Sequence, residues 1–327
     1  MTRSAAALLL CWAGGLAAQI PDPISADALR AHVTFLSSDL LEGRDTPSRG
    51  LDIAAQYIAT QLRLIGVEPA SPDGYFQNID TGPSAQNVAG VLTGSDALLR
   101  DEYVVVSAHY DHLGRRGNRI LNGANDNASG TASVLETARA LVNLNSRPKR
   151  SVLFLFYCGE EEGLLGSQFY AAHPLVPLIQ TIAQLNLEQM GRTDGVKLRT
   201  ANLTGWNLSS LTKTLVEAGH ETGIRITNSS DSNRYFAGSD NIPLARLGVP
   251  AHTISVTYQF PDYHKAGDVW RKINYDNMAQ VDRAVALTIL KLASSPERPA
   301  WSAGAKPYAD AAKKLNAPRP APSQSRP

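Results

Sequence analysis

Apolar and polar positions along the chain alternate between two periods. From Ala26 to Leu41 and from Leu51 to Leu64 the apolar residues recur at helical spacing, as in Ile53, Ala54, Tyr57, Ile58 and Leu62, and Gly66 closes the second stretch. Short β-branched runs at Asn87–Leu92 and Tyr103–Ala108, separated by Gly94, Ser95 and Asp96, predict two strands. Ala128–Leu144 returns to a helical stripe with Val134, Leu135, Ala138, Leu141 and Val142 on one face. Ser151–Tyr157 is an unbroken apolar run, the pattern of a strand covered on both faces of a parallel sheet. A helix from about Gly163 to Ala172 and a strand ending near Leu187 follow, then a helix over Leu208–Ala218. A strand at Pro250–Val256 and a closing helix over Asn277–Leu292 complete the pattern. This alternation predicts one α/β domain, a sandwich with a largely parallel sheet.

The two ends of the chain read differently. Arg3 precedes an apolar run, Ala5–Ala18, that finishes in the small residues Gly14, Gly15, Ala17 and Ala18. Residues 1–18 are therefore expected to be a cleaved secretory signal, which places the mature protein in the periplasm or the medium. Signal removal also takes Cys11, so Cys158 stands alone and no intramolecular disulfide is expected. No membrane contact is expected after cleavage, because the strongest remaining apolar run, Val152–Tyr157, falls far short of the ~20 residues of a spanning helix. Acidic and basic residues balance to a formal charge of +1, without a basic patch interleaved with aromatics, so nucleic acid is not an expected partner. Residues 296–327, rich in Pro, Ala and Lys, read as a mobile tail, which leaves 19–295 as the folded domain.

Polar clusters stand just past several of the strands. His109-Tyr110-Asp111 follows the strand ending at Ala108, and Glu160-Glu161-Glu162 the one ending at Tyr157. Glu188 ends its own strand, and His264 lies a few residues beyond another. Each cluster alone has an ordinary reading: a surface hydrogen-bonded pair, a solvated helix start, or, for Asn125-Asp126-Asn127, an N-cap. Open α/β sheets, however, bind ligands outside the carboxyl ends of their strands, and the clusters converge on one such edge. Zinc takes His nitrogen and carboxylate oxygen, and a catalytic site leaves a position for water. Two His and three carboxylates can hold two ions if one carboxylate bridges, and such a pair, ~3.5–4 Å apart, can share a hydroxide. One further carboxylate must stay unligated to carry protons, and the adjacent Glu160 and Glu161 offer both roles. Cys158, at its strand end, suits packing better than ligation.

These stretches resemble the di-zinc aminopeptidases of the bacterial leucyl aminopeptidase type, relatives of glutamate carboxypeptidases and glutaminyl cyclases. The resemblance is carried by Ala108-His-Tyr-Asp-His-Leu-Gly114, Gly123-Ala-Asn-Asp-Asn-Ala-Ser-Gly130 and Glu160-Glu-Glu-Gly-Leu-Leu-Gly-Ser167. It continues in Asn186-Leu-Glu-Gln-Met-Gly-Arg192 and Asp262-Tyr-His-Lys-Ala-Gly-Asp268, with a lead-in at Leu40-Leu-Glu-Gly-Arg44 and Ala54-Ala-Gln-Tyr-Ile58. It implies a three-layer α/β/α sandwich with a mixed, centrally parallel sheet, and two Zn2+ ions acting on peptides. In this likeness Asp126 would bridge the ions, with a cis bond to Asn127. His109 and Glu188 would complete one ion, and Glu161 and His264 the other. Asp111 would orient His109, and Glu160 would be the general base.

The sequence departs from the family pattern at two points. Glu188 stands where many members have Asp, and Asn241 where Ser-Asp-His is common, so proton chemistry at that position is lost. An oxyanion-steadying Tyr of some members falls near Tyr235 or Phe236, of which only Tyr235 can donate. The short stretch from Tyr75-Phe76-Gln77 to Asn87-Val88 has no room for the protease-associated insert of some relatives. A carboxypeptidase on the same scaffold would need a cation for the substrate carboxylate, for which Arg192, Arg234 and Lys265 are the candidates. A glutaminyl cyclase would dispense with the His109-type ligand, and a receptor homologue would lose ligands. Trp206, Tyr258, Phe260 and Tyr263 are candidates for an apolar side-chain pocket.

Overall fold

The run Ser151–Tyr157 is the centre of the molecule in a computed structural model that describes residues 24–79, 85–228 and 233–317. Every residue of this strand is buried. Val152, Phe154 and Phe156 face one core, and Leu153, Leu155 and Tyr157 face a second. A strand with a two-residue period that buries both faces requires layers on both sides, and the fold is an α/β/α sandwich.

In chain order the strands are β1 (Glu68–Pro69), β2 (Phe76–Asn78), β3 (Gln86–Leu92), β4 (Tyr103–His109), β5 (Arg115–Arg116), β6 (Arg119–Ile120) and β7 (Ser151–Tyr157). β8 (Thr181–Glu188), β9 (Thr200–Leu203), β10 (Arg225–Thr227) and β11 (Ala251–Ser255) follow. The main sheet runs β1-β3-β7-β4-β8-β11-β9-β10, with β2 paired to β3, while β5 and β6 form a separate ribbon. β7, β4, β8 and β11 are mutually parallel, whereas β3 and β9 join antiparallel on either side, so the sheet is mixed with a parallel centre. Register sets His109 opposite Tyr157 and Ser255 opposite Glu188, which brings four strand ends to one edge.

Helices α1 (Ala26–Leu36), α2 (Arg49–Ile65), α3 (Gly130–Val142) and α5 (Leu211–Thr222) cover one face with the closing helix Tyr275–Ser294. The other face is covered by α4 (Leu165–Ala172) and the helices Ile242–Arg246 and Lys306–Leu315. Helix α1 ends at Leu36, earlier than its apolar spacing predicts, because the Leu36 carbonyl is taken by the buried Arg44 guanidinium and the chain turns through a short 3-10 turn, Asp39–Leu41.

The mobile tail expected from residue 296 is corrected for residues 296–317. This stretch straps the amino ends of the parallel strands. Arg298 pairs with Glu102 at 2.8 Å, the Trp301 indole donates to Gly248 at 2.9 Å, and the Lys306–Leu315 helix seats Tyr308 and Leu315 on the second core. Three large apolar anchors and local ion pairs outweigh the polar composition that suggested a tail. Residues 318–327 and the expected signal, 1–18, lie outside the described residues. Among the described residues no helix is long and apolar enough to cross a membrane.

Candidate metal centre

Four strand ends and one loop deliver the candidate site. His109 is the last residue of β4 and Glu188 the last of β8. Glu160 and Glu161 start the turn after β7, and Asp126 lies in the segment Ala124–Ser129 that leads into α3. His264 sits beyond β11, in the left-handed conformation at φ 55°. Ligand atoms of His109, Glu160 and Glu188 fall within 4.8 Å of one another. On the other side, His264 Nε2 is 3.2 Å from Asp126 Oδ2 and 3.4 Å from Glu161 Oε2. Asp126 presents its second oxygen, Oδ1, 3.5 Å from His109 Nε2, so its carboxylate faces both groups. The Asp126–Asn127 peptide bond is cis.

The polar residues around Asp126 fix this arrangement. Oδ1 of Asn125 accepts the N–H groups of Gly191 (2.9 Å) and Arg192 (2.8 Å), and Oδ1 of Asn127 accepts that of Gln189 (3.1 Å). The two amides thereby tie the Asp126 segment to the chain that carries Glu188. Both oxygens of the buried Asp268 receive the main-chain N–H groups of Asn125 and Asp126. Behind them Arg44 is wholly buried, and its guanidinium donates to the carbonyls of Tyr110 (2.7 Å), Asn122 (2.8 Å) and Gly123 (3.1 Å). Asp111 comes within 3.5 Å of His109 Nδ1, which finds no hydrogen-bond partner. Its oxygens accept the N–H groups of Glu160 (3.1 Å) and Glu161 (3.2 Å), which braces the turn holding both glutamates.

The donor set fits metal ions on electrostatic grounds. Burial, with Asp126 adding repulsion, pushes the Glu161 carboxyl up to about 8. Burial, with Asp126 and Glu161 adding, pushes Glu188 to about 7, and burial takes Glu160 well above the carboxylate range, with Glu188, Asp240 and Glu161 contributing. For Asp126 burial acts upward too, but the rings of His109 and His264 win and hold its pKa low. Buried carboxylates this crowded need cations, and Arg44 is committed to carbonyls. Asp126 Oδ2 accepts no well-directed hydrogen bond although His264 is adjacent, as suits an oxygen shared with a cation.

Several neighbours escaped the sequence reading. Ser239 donates to Glu188 Oε1, and Asn186 Nδ2 donates to Ser239 Oγ at 2.9 Å. Asp268, Arg44 and His112 lie inside the motifs already quoted but carry no role there; their burial was the missing information. Asn241 serves as a loop clamp, accepting from Thr253 Oγ1 (2.9 Å) and donating to the Phe236 carbonyl (3.0 Å). Cys158 is buried with its main chain and Sγ beside Asn87 Oδ1, away from both groups of ligand atoms.

A pocket of about 50 Å³ opens beside His109 and is lined by Gln189, Tyr235, Gly238, Tyr258 and Tyr263. Of the four aromatics considered for it, Tyr258 and Tyr263 belong. Phe260 instead packs under the Arg192 guanidinium at 4.9 Å, and Trp206 lies against the first core. Tyr235 stacks on Tyr258 with centroids 4.8 Å apart, while Phe236 is buried in the second core. Arg192 is 3 % exposed, and its donors are spent on Asp194 and Asp262. Lys265 donates to the Pro261 carbonyl at 2.7 Å, and Arg234 stands over the ring of Tyr235, 6.0 Å from its centroid.

Imidazoles and buried carboxylates at the carboxyl edge of a mixed sheet define a metallohydrolase of the α/β/α exopeptidase class. Residues 87–289 match the model of peptidase family M28, and the chain belongs to that family. It is similar to a probable zinc metalloprotease of Pyrenophora tritici-repentis, at 25 % identity over 342 residues covering 85 % of this chain and 68 % of the relative. It is also similar to a probable leucine aminopeptidase of Trichophyton verrucosum, at 28 % identity over 79 % of this chain and 71 % of the relative. Among solved structures, the LapA aminopeptidase of Legionella pneumophila shares the fold at a TM-score of 0.68, with 21 % identity over 84 % of this chain and 73 % of that one.

Proposed function

We propose that this zinc-dependent M28 peptidase is an aminopeptidase that holds two zinc ions and removes N-terminal residues from peptides. The observation that carries this reading is the divided Asp126 carboxylate, with Oδ1 toward His109 and Oδ2 toward His264 and Glu161. His109, Asp126 and Glu188 would hold one ion, and Asp126, Glu161 and His264 the other. Bound zinc supplies Lewis-acid chemistry for an acyl carbonyl. Glu160, on the turn after β7 and beside His109 and Glu188, takes the proton of the attacking water on its carboxylate and passes it to the leaving amine. Tyr235, which lines the pocket, would donate toward the carbonyl oxygen.

All three guanidinium nitrogens of Arg192 are engaged by Asp194 and Asp262, which removes it as the partner of a substrate carboxylate and favours removal of the N-terminal residue over the C-terminal one. We further read the protein as secreted or periplasmic, from Arg3 and the apolar run Ala5–Ala18.

Aminoacyl anilides and N-blocked or C-blocked peptides test the activity. Turnover should stop with a chelator, return with zinc and fail on N-blocked peptides. Glu160→Gln should lose roughly 10²–10⁴-fold in kcat while binding the same metal. Cleavage of N-blocked but not C-blocked peptides would reverse the polarity of the reading, and full activity of Glu160→Gln would refute the base.

A further inference from the structure

Glu161 is gripped from two sides. Its Oε2 faces His264 Nε2, and its Oε1 lies 2.8 Å from Nδ1 of His112. The ligand assignment does not use His112, yet its ring is 1 % exposed and stands edge-on to the His264 ring, with centroids 5.8 Å apart. The fold reserves the space. Gly123, at φ +57°, lies so close that a Cβ there would sit 2.5 Å from His112 Cγ. The main-chain N–H of His112 is fixed on the carbonyl of Arg44 at 3.1 Å.

A carboxylate accepts, so the Nδ1 that faces Glu161 carries the ring proton and donates it. Its Nε2 finds no hydrogen-bond partner. A glutamate ligand can turn about its last torsion and offer a metal either oxygen or both. With Oε1 engaged by His112, only Oε2 is free, and it points to the place shared by Asp126 Oδ2 and His264 Nε2.

We propose that His112 is the positioning residue of the second metal ion, donating Nδ1–H to Glu161 Oε1 so that Oε2 is presented beside Asp126 and His264. This inference rests on the two-ion reading above. A competing role is ligation by His112 itself, since its ligand atom lies within 4.8 Å of those of Asp126 and Glu161. A nitrogen that ligates through Nδ1 could not also donate from it, so the two roles separate chemically.

The test is calorimetric titration of zinc into the metal-free full chain, with circular dichroism to verify folding. Wild-type protein should take up two equivalents. His112→Ala should weaken one of them by roughly 10–100-fold and leave the other unchanged, the usual effect of removing a partner of a metal ligand. His112→Asn, whose amide N–H falls near the position of Nδ1–H but which offers zinc no imidazole, should recover affinity to within about tenfold of wild type. If His112→Ala does not fold, His112→Gln, which carries its amide one bond too far, replaces it as the loss variant. Wild-type affinity in the loss variant, or His112→Asn binding as weakly as that variant, overturns the proposal. Fewer than two equivalents in the wild type would instead overturn the two-ion reading itself, before any variant is compared.

Discussion

At the scale of single residues, the site depends on groups that never touch a substrate. Asp268 gathers the N–H groups of Asn125 and Asp126, and burial lifts its carboxyl to about 6 in spite of those bonds. Asp268→Asn turns one acceptor into a donor that faces N–H groups in a buried position. The expected result is a loss of about 1–3 kcal/mol in urea unfolding of the metal-free protein, the cost of an unsatisfied buried group. Zinc affinity should fall with it, because the segment that orients Asp126 loosens. The sequence displayed Asp268 as the last letter of a motif but could not reveal this role, since its partners lie more than 140 positions away. The ligands themselves were more legible. His109 and Glu188 end their strands and Glu161 follows β7 closely, so a short apolar run that stops at a His or an acid marks them in the sequence, whereas Asp126 and His264 stand in loops and are marked by their motifs.

At the scale of elements, the alternation of strand and helix was readable because β4 and β7 are largely apolar, of ordinary length and bounded by polar turns. The short strands at one end of the sheet, β9 and β10, were not: a few half-polar residues in extended form look like loop until a neighbour pairs with them. The terminal strap was misread for a related reason. Its composition is polar, and what orders it is packing of Trp301, Tyr308 and Leu315 on a face built by distant residues. That packing is close at Gly248, where φ is +99° and a Cβ would lie 2.4 Å from the Ala312 nitrogen. Gly248→Ala should therefore dislodge the Lys306–Leu315 helix. Trypsin should cut at Lys313 and Lys314 faster, and the midpoint of thermal unfolding should fall. Because the strap lies at the amino ends of the strands, kcat should stay within about twofold, the two sites being distant enough to act independently.

At the scale of the whole molecule, the acid cluster couples metal, proton and stability. Glu161 at about 8, Glu188 at about 7 and Asp268 at about 6 all sit above their unfolded values, raised first by burial. An acid whose folded pKa exceeds its unfolded one binds more protons folded than unfolded between the two values. Stability of the metal-free protein is then lost as pH rises through that window. Chelated protein should accordingly melt at a lower temperature at pH 8 than at pH 5.5. Zinc displaces those protons, and the loaded protein should lose most of this slope; equal slopes with and without zinc in differential scanning fluorimetry would contradict the account.

The divided carboxylate of Asp126 carries a kinetic consequence. Its partners are contributed from residue 109 to residue 264, so no short stretch of chain, and no isolated half of the sheet, can assemble the centre. His264 arrives last in chain order, on a loop whose place depends on β11 having added to β8. Contacts of such sequence separation close late, after the loop entropy between them has been overcome. Refolding with zinc in solution should thus regain secondary structure first and capture metal afterwards, which makes metal uptake a clock for the final long-range step of folding.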